Sequence, residues 1–521
     1  MHVRILNLLV CLLVLLVTAC TSVVHAEEFF PANVLELQEA IEQAGSNEQH
    51  DIIDLDDGVF ALAKELVLGA DEGFGVVIRN GTLERSDSAA FFRLLRLEPV
   101  PYFAQNNQAP VQLEQLVFRN GYFRQSDANP GEWGGGALLS HRVTRISDAE
   151  FVGNRAVGNT SGGAIQHTST LEVSRTLFAN NSVLVSDNVQ TSHGGAVASS
   201  TGASLYVAHS YFLGNSADHG GAIHAAHGVN QVNITRSSFD GNEATATGGA
   251  LWANTGNGEL RISNSSFVAN QAPLGGGGVF AQSLYAKVLF KHVTFWGNGS
   301  EAGQGGAIKA LIPRQGSTVS LQNSVIANNV GGNCVDTEGQ PLSFSESAHN
   351  LVDDTSCGQD GITLPDTAVS VFAGQLDYYG GVIPSLPILA SSPASNLVPR
   401  DACLAFDARD VPRLDNDTIE DYYCDAGAFE YVPLSLVDED GDDVRNRRDN
   451  CVSESNPLQS DIDNDGIGDS CDSRDDRDTD QDAILNFSDN CPTVSNFFQL
   501  DTNGDGIGDA CDKPALPLAR M

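Results

Sequence analysis

The stretch Gly220-Gly221-Ala222-Ile223 is one copy of a short motif that recurs along the middle of the chain. Its copies begin at Gly135, Gly162, Gly194, Gly220, Gly248, Gly276 and Gly305. The third residues of successive copies are 27, 32, 26, 28, 28 and 29 residues apart. Two adjacent glycines permit a turn in which a Cβ atom would clash, and the apolar residue that follows can point into a core. The motif therefore predicts a repeated structural unit with a period near 28 residues.

A second motif, an aromatic residue followed three positions later by asparagine, runs at the same period. Its copies are Phe151 with Asn154, Phe178 with Asn181, Phe212 with Asn215, Phe239 with Asn242, Phe267 with Asn270 and Phe295 with Asn298, and Val325 with Asn328 reads as a weaker final copy. Repetition in every unit predicts that the phenylalanine rings stack as a ladder inside the protein. It also predicts that the asparagines hydrogen-bond one another along a turn.

Between these motifs lie short alternating segments such as Leu205-Tyr206-Val207 and Glu259-Leu260-Arg261-Ile262. Short strands separated by Gly and Asn at a fixed period are typical of a solenoid, in which each rung pairs with the rungs above and below it. We therefore predict an all-β fold, a right-handed parallel β-helix, over residues 110–344. A β-propeller is the alternative, but its blades would need about 40–50 residues each.

Both ends of the predicted coil carry different sequence. Leu37 to Ala44 reads as a short amphipathic helix, followed by strand-like segments at 51–55 and 58–62. A helix over the open end of a β-helix would protect its first rung from edge pairing. We assign residues 27–109 to this N-terminal cap and the first rungs, and residues 345–432 to a closing region at the other end.

Residues 433–512 form an acidic block in which the same pattern of residues occurs twice, 40 positions apart. From Asp438 to Asp512 there are twenty Asp and two Glu against five Arg and no Lys, a formal balance of −17. So charged a segment with so few apolar residues cannot build a hydrophobic core. Calcium is the expected organiser, and residues 513–521 are a short tail.

Each copy contains two loops with oxygen-bearing side chains at positions 1, 3, 5 and 12, an arrangement that suits a hard cation with six to eight oxygen ligands. Gly466 and Gly506 stand at position 6, where a sharp turn is needed, whereas Asp443 and Ala483 take that place in the other two loops. The predicted calcium ligands are Asp438, Asp440, Asp442, Asp449, Asp461, Asp463, Asp465, Asp469, Asp472, Asp478, Asp480, Asp482, Asp489, Asp501, Asn503, Asp505, Asp509 and Asp512.

Eight of the ten cysteines lie after residue 330, and an even number in an exported chain predicts disulfides. Cys451 with Cys471, and Cys491 with Cys511, would each staple one acidic copy across 20 residues. Proximity in sequence pairs Cys334 with Cys357 and Cys403 with Cys424.

An apolar run from Ile5 to Val17 predicts that residues 1–26 hold a signal peptide. Val17-Thr18-Ala19-Cys20 is similar to a bacterial lipobox, which would make Cys20 the lipid-modified first residue of an outer-membrane or surface lipoprotein. A cut after Val24-His25-Ala26 would instead release a secreted protein. We favour the lipobox, so membrane attachment is expected only through this N-terminal lipid.

The acidic block resembles thrombospondin type 3 repeats, on the residues Asp449-Asn450-Cys451, Ile467-Gly468-Asp469-Ser470-Cys471-Asp472 and their copies. That resemblance implies calcium binding. The glycine and phenylalanine motifs of residues 130–330 resemble the polymorphic outer-membrane protein repeats of bacterial surface adhesins. The N-terminal cap is similar to exported β-helix proteins with a CSLREA-type beginning, although the cysteine of that motif is absent.

Residues 345–432 resemble the choice-of-anchor Q domain of bacterial surface proteins, on the stretches Asn350-Leu351-Val352, Ser392-Pro393-Ala394 and Cys424-Asp425-Ala426-Gly427. This resemblance implies export and display but no reaction. The net charge of −39 argues against nucleic acid as a partner, because phosphate binding requires clustered Lys and Arg.

Candidate active-site residues are few. His193, His219, His224 and His227, with Asp218 and Asp240 nearby, could form a proton-transfer or metal site, but we favour a structural role for stacked imidazoles. Lys287, Lys291 and Lys309 are expected to form a basic group on neighbouring rungs, which a solvated face explains adequately. Trp133, Trp252 and Trp296 could stack on sugars, although aromatic residues on strands usually pack.

We assign no catalytic residue. The expected function is that of an exported, surface-displayed calcium-binding protein whose β-helix binds a glycan or another cell-surface ligand, as in adhesion. The alternative is a β-helix polysaccharide lyase or glycoside hydrolase that acts on extracellular glycans. The sequence indicates no oligomeric state.

Overall fold

The structure, a computed structural model, describes residues 26–70, 74–86, 90–100, 109–125, 134–158, 160–185, 191–282, 287–311, 318–357, 362–363, 371–413, 423–432, 440–442, 444, 449–460, 467–468, 470–471, 479–480, 484, 489–502 and 506–512. The chain forms two compact units, residues 1–431 and 432–521. Residues 1–25, which include Cys20 and all but the last residue of the predicted signal peptide, lie outside the described residues.

The first unit begins with a strand at Glu27–Phe29 and the predicted helix, which runs from Val34 to Ala44. Asn33 caps the helix, because its Oδ1 accepts hydrogen bonds from the amides of Leu35 and Glu36. The apolar face of Leu37, Ala40, Ile41 and Ala44 is buried in the same core as the first strands. The helix is thus part of the N-terminal end of the hydrophobic core, as a cap requires.

Nearly all other elements are short parallel strands. The long sheet contains Glu27–Phe29, Asp51–Leu62, Val76–Arg85, Val111–Arg119, Thr144–Ser147, Glu150–Val152, Thr170–Ser174, Leu177–Ala179, Ser204–Ala208, Tyr211–Leu213, Gln231–Thr235, Ser238–Asp240, Glu259–Ser263, Ser266–Val268, Lys287–Lys291, Thr294–Trp296, Thr318–Gln322, Val325–Ala327, Glu346–Ala348, Leu351–Val352 and Ile362–Thr363.

Two further parallel sheets complete the coil. The second sheet contains Leu66–Leu68, Leu95–Leu97, Leu138–Ser140, Ile165–His167, Val197–Ser199, Ile223–Ala225, Leu251–Ala253, Val279–Ala281, Ile308–Ala310 and Cys334–Asp336. The third sheet contains Tyr122–Arg124, Arg155–Val157, Ser182–Leu184, Ser216–His219 and Glu243–Thr247. An antiparallel pair, Val398–Pro399 with Tyr423–Cys424, and a 3₁₀ turn at Arg400–Ala402 follow later in the chain.

In the rungs that contain a strand of the third sheet, one turn of the coil passes through all three sheets and returns to the next strand of the second sheet. Ile223 pairs in parallel with Leu251, for example, after the chain has crossed two strands of the long sheet and one of the third. Each rung therefore pairs with its sequence neighbours, which is the architecture of a parallel β-helix. The predicted fold is confirmed, and the β-propeller alternative is excluded.

The interior contains the predicted ladder of phenylalanine rings. Phe118, Phe151, Phe178, Phe212, Phe239, Phe267 and Phe295 stack in sequence, with centroids 4.6–5.0 Å apart, and all are fully buried. Phe118 extends the ladder one rung beyond the predicted set. Stacking of this kind adds packing energy beyond simple area burial.

A ladder of buried asparagines runs beside the rings. Asn242 donates from Nδ2 to Oδ1 of Asn270 at 2.9 Å, and the backbone amide of Asn242 donates to the same oxygen at 3.0 Å. The final copy differs from the prediction of Val325 with Asn328. The strand register pairs Phe295 with Ile326, so the bond from Asn298 goes to Asn329. The motif there is one residue later, because Ile326 replaces the aromatic residue that would have marked it.

The double glycines form the predicted corners. Gly220 has a φ of +66°, a left-handed value that disfavours other residues. A Cβ atom on its neighbour Gly221 would lie 2.1 Å from the carbonyl oxygen of Gly249 in the next rung. Close stacking of rungs at this corner therefore requires glycine.

The predicted closing region packs along the side of the coil. We call residues 371–413 and 423–432 the covering segment. In each rung that contributes two strands to the long sheet, a residue with a positive φ lies between them. We call the stack of these residues the left-handed column, and the covering segment contacts it. Asn264 and Asn323 donate from Nδ2 to the carbonyl oxygens of Phe406 and Ala402, both at 2.9 Å. The covering segment thus occupies the long sheet over the later rungs, from His209 onward.

The second unit lacks regular strands or helices in its described residues. Instead, equivalent hydrogen bonds to side chains occur within each of its two copies. The amide of Asn450 donates to Oε1 of Gln459 at 2.8 Å, and that of Asn490 donates to Oε1 of Gln499 at 2.7 Å. The 40-residue sequence repeat is therefore also a repeat of structure.

Candidate functional site

Three of the predicted calcium ligands converge in the first acidic loop. Asp440, Asp442 and Asp449 each place a carboxylate oxygen within 4.8 Å of the others. Because calcium lies about 2.3–2.6 Å from its oxygen ligands, oxygens on one ion are at most about 5 Å apart. The donor type and spacing of these three carboxylates therefore fit one calcium ion, although this loop lacks the glycine at position 6.

Hydrogen bonds to the surrounding copy orient these carboxylates. Asp449 Oδ1 accepts from the amide of Cys451 at 2.8 Å and from Nε2 of Gln459 at 2.9 Å. Asp442 Oδ2 accepts from the amide of Asn456 at 2.8 Å. The second copy repeats the first arrangement, because Asp489 accepts from Cys491 and Gln499.

Other predicted ligands have different positions. Asp509 Oδ1 accepts from the amide of Thr502 at 2.8 Å, and this side chain's bonds to Thr502 lower the pKa of its carboxyl. Asp480, Asp501 and Asp512 are described but join no group of three candidate ligands in the described part of the chain. Outside the described residues lie Asp438, Asp461, Asp463, Asp465, Asp469, Asp472, Asp478, Asp482, Asn503 and Asp505.

The cysteines in the described part of the chain form four disulfides: Cys334–Cys357, Cys403–Cys424, Cys451–Cys471 and Cys491–Cys511. They join the same cysteines as the predicted pairs. Each bridge spans 20 to 23 residues, so each closes a local loop. In the second unit the bridges supply constraints that a hydrophobic core would supply elsewhere.

The predicted histidine cluster is a stack of rings against the second sheet. His193 stacks on His219 at 5.7 Å and lies 4.4 Å from His224, which in turn stacks on Trp252 at 4.4 Å. Burial lowers the pKa of His193 to about 4 and that of His224 well below its ordinary value. Two of the predicted residues lie apart from this stack. Nδ1 of His227 is 3.1 Å from Oδ1 of Asn254, and Asp240 belongs to the long sheet.

The three stacked imidazoles join no group of candidate metal ligands among the described residues. Rings that pack on one another and on Trp252, with pKa values held low by burial, fit the structural role that we favoured.

The three lysines do lie on neighbouring rungs, but they do not share one solvated face. Lys287 and Lys291 lie on one strand of the long sheet, whereas Lys309 lies in the second sheet. Lys309 is buried, and its Nζ donates to the carbonyl of Leu274 at 3.0 Å and to Gln304. Of the tryptophans, Trp252 packs on His224 and Trp296 packs on Phe372, while Trp133 lies outside the described residues.

The sequence did not reveal a cleft on the outer face of the long sheet. A cavity of about 490 Å³ lies over five successive rungs. Five of its outward lining residues are register partners on successive strands, and we call them the register column: Gln112, Arg145, Glu172, Tyr206 and Asn233. Arg145 pairs with Glu172 at 2.8 Å, and Tyr206 donates to Oε1 of Gln231 at 3.0 Å. In the sequence, this face is indicated by the polar residues that alternate with buried residues along each strand.

A second cavity of about 340 Å³ adjoins the first, because Ser147, Ser174 and Ala208 line one and the next residues in sequence, Asp148, Arg175 and His209, line the other. Its far wall is formed by Tyr378, Val382 and Ile383 of the covering segment. We call the two cavities together the open cleft. The covering segment borders it at the second cavity, where His209 both lines the cavity and pairs with Asp410.

Asp240 lies beside the second cavity and accepts a hydrogen bond of 3.1 Å from Tyr211, which lines that cavity. Burial raises the pKa of both side chains. In contrast, Asp148 and Glu172 form exposed ion pairs with arginines of neighbouring rungs. The cleft thus offers mostly paired, exposed charges, with one more buried carboxyl at its margin.

Residues 460–499 and 500–514 match the family model of the thrombospondin type 3 repeat, and residues 209–226 match that of the Chlamydia polymorphic membrane protein repeat. No curated protein matches the chain. Among the described residues, no helix combines the length and the apolar character needed to cross a bilayer.

The two repeat families, the disulfides and the parallel sheets together indicate an extracellular or surface-type β-helix protein that carries calcium-binding repeats.

Proposed function

We propose that this is a surface-displayed calcium-binding protein whose β-helix binds a glycan outside the cell, in a role of the adhesion type. The observation that carries the proposal is the open cleft. From His209 onward the covering segment bonds to the left-handed column of the long sheet, whereas the outward positions of the first strand of each rung, from Gln112 to Asn233, line the first cavity and are polar. A polar face of this extent, supported by a stiff coil, is suited to binding a ligand.

Calcium has a structural role in this proposal. Asp440, Asp442 and Asp449 would hold an ion that offsets the repulsion between their own charges. The oxygen ligands of the other loops would do the same where they converge. Metal binding of this kind contributes directly to folding, since unfolded chains rarely contain a preformed site.

Anchoring is proposed to depend on Cys20. The lipobox-like residues Val17 to Cys20 support it, and the resemblance of residues 345–432 to choice-of-anchor Q domains agrees with display. Labelled fatty acid should be incorporated by cells that express the wild type and not by cells that express Cys20→Ala. A mature wild-type chain that begins at Glu27 without lipid would rule the anchor out.

The rival function, polysaccharide cleavage, makes a different prediction for the same protein. Acid–base catalysis needs a carboxyl whose pKa lies near the working pH. Asp240 is the described cleft-side carboxyl with a raised pKa, so it is the residue to test.

The experiment is to incubate the full chain in calcium buffer with a panel of extracellular glycans, and to measure both retention and the release of new reducing or unsaturated ends. Retention without release supports a binding protein. Release that is lost in Asp240→Asn would establish the rival, and neither retention nor release would end the glycan proposal.

A further inference from the structure

The covering segment contains an example of what the outer face of the long sheet binds when the ligand is a polypeptide. Asn264 and Asn323 donate to its backbone carbonyls, and the backbone amide of Leu404 lies 3.4 Å from Nε2 of His292. The contacted residues run backward, from 410 to 402, as the rungs run forward from His209 to Asn323. The segment therefore lies along the axis of the coil, on the left-handed column.

The same column continues into the open cleft with different chemistry. Its residues there are Asp148, Arg175 and His209. Asp148 and Arg175 bind each other through two bonds of 2.6 Å, and His209 pairs with Asp410 of the covering segment. At the later rungs this column offers side-chain amide donors to a peptide backbone, whereas in the cleft the arginine and the aspartate are bonded to each other. Nor can a peptide add as an extra strand, because the strands that line the cleft are paired on both sides and present no edge.

The side chains of the cleft include both hydrogen-bond donors and acceptors. Along the register column, Arg145 donates, Glu172 accepts, and the amides of Gln112 and Asn233 and the hydroxyl of Tyr206 do both. Successive rungs place these groups about 4.8 Å apart. A ligand that matches them must itself carry closely spaced groups that both donate and accept, which is the property of sugar hydroxyls.

Charge argues for a neutral sugar chain over an acidic one. Both arginines of the open cleft are already paired with carboxylates, Arg145 with Glu172 and Arg175 with Asp148. Two further acids, Glu114 and Glu150, also line it. An anionic sugar would meet an excess of negative charge.

Tyrosines at both ends of the cleft supply apolar ring surface. Tyr206 lines the first cavity, and Tyr211 and Tyr378 line the second. Tyr378 belongs to the covering segment and is 59% exposed. Aromatic rings with a polar tip suit ligands that have one apolar face and polar edges, as pyranose rings do.

We propose that the open cleft, from Gln112 to Tyr378, is the binding site for a neutral oligosaccharide. The first cavity receives it across the Arg145–Tyr206 column, and the covering segment ends the site at Tyr378. This inference rests on the proposed glycan-binding function and assigns it a location and a ligand class.

The test uses the full chain in calcium buffer on an array of neutral and acidic oligosaccharides, followed by calorimetric titration of the best ligand. Tyr206→Ala, Arg145→Met and Tyr378→Ala should each weaken binding by about tenfold, the effect of losing one good ligand contact. Tyr206→Phe, which keeps the ring, should lose less and guards against misfolding of the alanine variant. The matched control is Arg261→Met, which breaks an exposed Arg–Glu pair on the same sheet outside the cleft.

Loss in the cleft variants with an unchanged control supports the site. If the wild type binds a neutral glycan and every cleft variant binds equally well, the cleft assignment is wrong while the glycan-binding function stands. Binding of acidic glycans alone overturns the ligand class. No binding to any glycan overturns both the function and its location.

Discussion

Arg413 donates a hydrogen bond of 2.9 Å from its guanidinium to Oδ1 of Asn264, which lies 149 residues earlier in the chain. The same buried guanidinium pairs with Glu430 at 3.0 Å and donates to the carbonyls of Asp425 and Gly427. One buried cation therefore joins the covering segment to the coil.

Replacing this residue should loosen the covering segment. Arg413→Met leaves Glu430 buried without its cation, and losing one partner of a buried pair costs about 3–5 kcal/mol. Burial raises the pKa of Glu430, so its carboxyl can take up a proton at lower pH. The loss measured by urea unfolding should therefore be larger at pH 8 than at pH 5. Arg261→Met, at an exposed pair, should cost about 0–1 kcal/mol, and equal losses for the two variants would contradict the structural role of Arg413.

The asparagine ladder should be a major source of stability. Asn270→Ala removes bonds to the carbonyl of Phe239 and to Asn298, and leaves the amides of Asn242 without their acceptor. An unsatisfied buried polar group costs about 1–3 kcal/mol. Asn230→Ala, which removes an exposed bond to Gly202, is the control in thermal unfolding experiments. A ladder variant as stable as this control would show that the bonds add little.

Calcium removal should affect the second unit and spare the first. From Asp438 to Asp512 the formal balance is −17, and like charges a few ångströms apart cost about 1 kcal/mol per pair even in water. Without calcium the segment should expand, while the coil keeps its backbone pairing. Protease digestion followed by mass spectrometry tests this directly. Cleavage after residue 433 should accelerate in EDTA, and equally slow cleavage with and without EDTA would mean that calcium does not hold this unit together.

The loop of Asp440, Asp442 and Asp449 allows a sharper version of the calcium test. Asp449→Asn removes one negative ligand yet keeps an oxygen that can accept from Cys451 and Gln459. Calcium affinity, measured by titration calorimetry, should fall, and the effect should exceed that of Asp509→Asn, because Asp509 bonds to Thr502. The reverse order would show that the ion uses a different set of carboxylates.

The stacked histidines predict a dependence of stability on pH. Burial lowers the pKa of His193 from 6.5 to about 4, and His219 adds to the effect while Asp218 opposes it. The unfolded chain then binds the proton more readily than the folded one, so this contribution to stability is complete above pH 6.5 and is lost as pH falls toward 4. His224, in contact with His193, should act in the same direction.

His193→Gln should therefore lose less stability than the wild type between pH 7 and pH 4.5, as measured by the midpoint of urea unfolding. A variant whose midpoint falls as steeply as that of the wild type would mean that acid destabilisation arises elsewhere.

The sequence determined the parts of this protein that repeat. The corner glycines, the interior phenylalanine rings and the asparagines recur from rung to rung at one period. Because each rung stacks on the rung next to it in sequence, the local pattern also predicts the tertiary contacts. The pairs Cys451–Cys471 and Cys491–Cys511 follow in the same way, since each staple is local. The final asparagine was misplaced by one residue because the aromatic marker is absent there, and only the pairing of Phe295 with Ile326 decides it.

Contacts that join residues far apart in sequence were decided by the tertiary structure alone. Arg413 meets Asn264, and Asp410 meets His209, because the covering segment returns along the side of the coil, and no periodicity encodes that return. The open cleft exists for the same reason. Its floor consists of ordinary alternating strand positions, and it becomes a cleft only because the covering segment borders it on one side, at Tyr378, Val382 and Ile383, without covering the first strands of those rungs. A repeat specifies its own stacking, but which part of the stack stays open depends on where a non-repeating segment comes to lie.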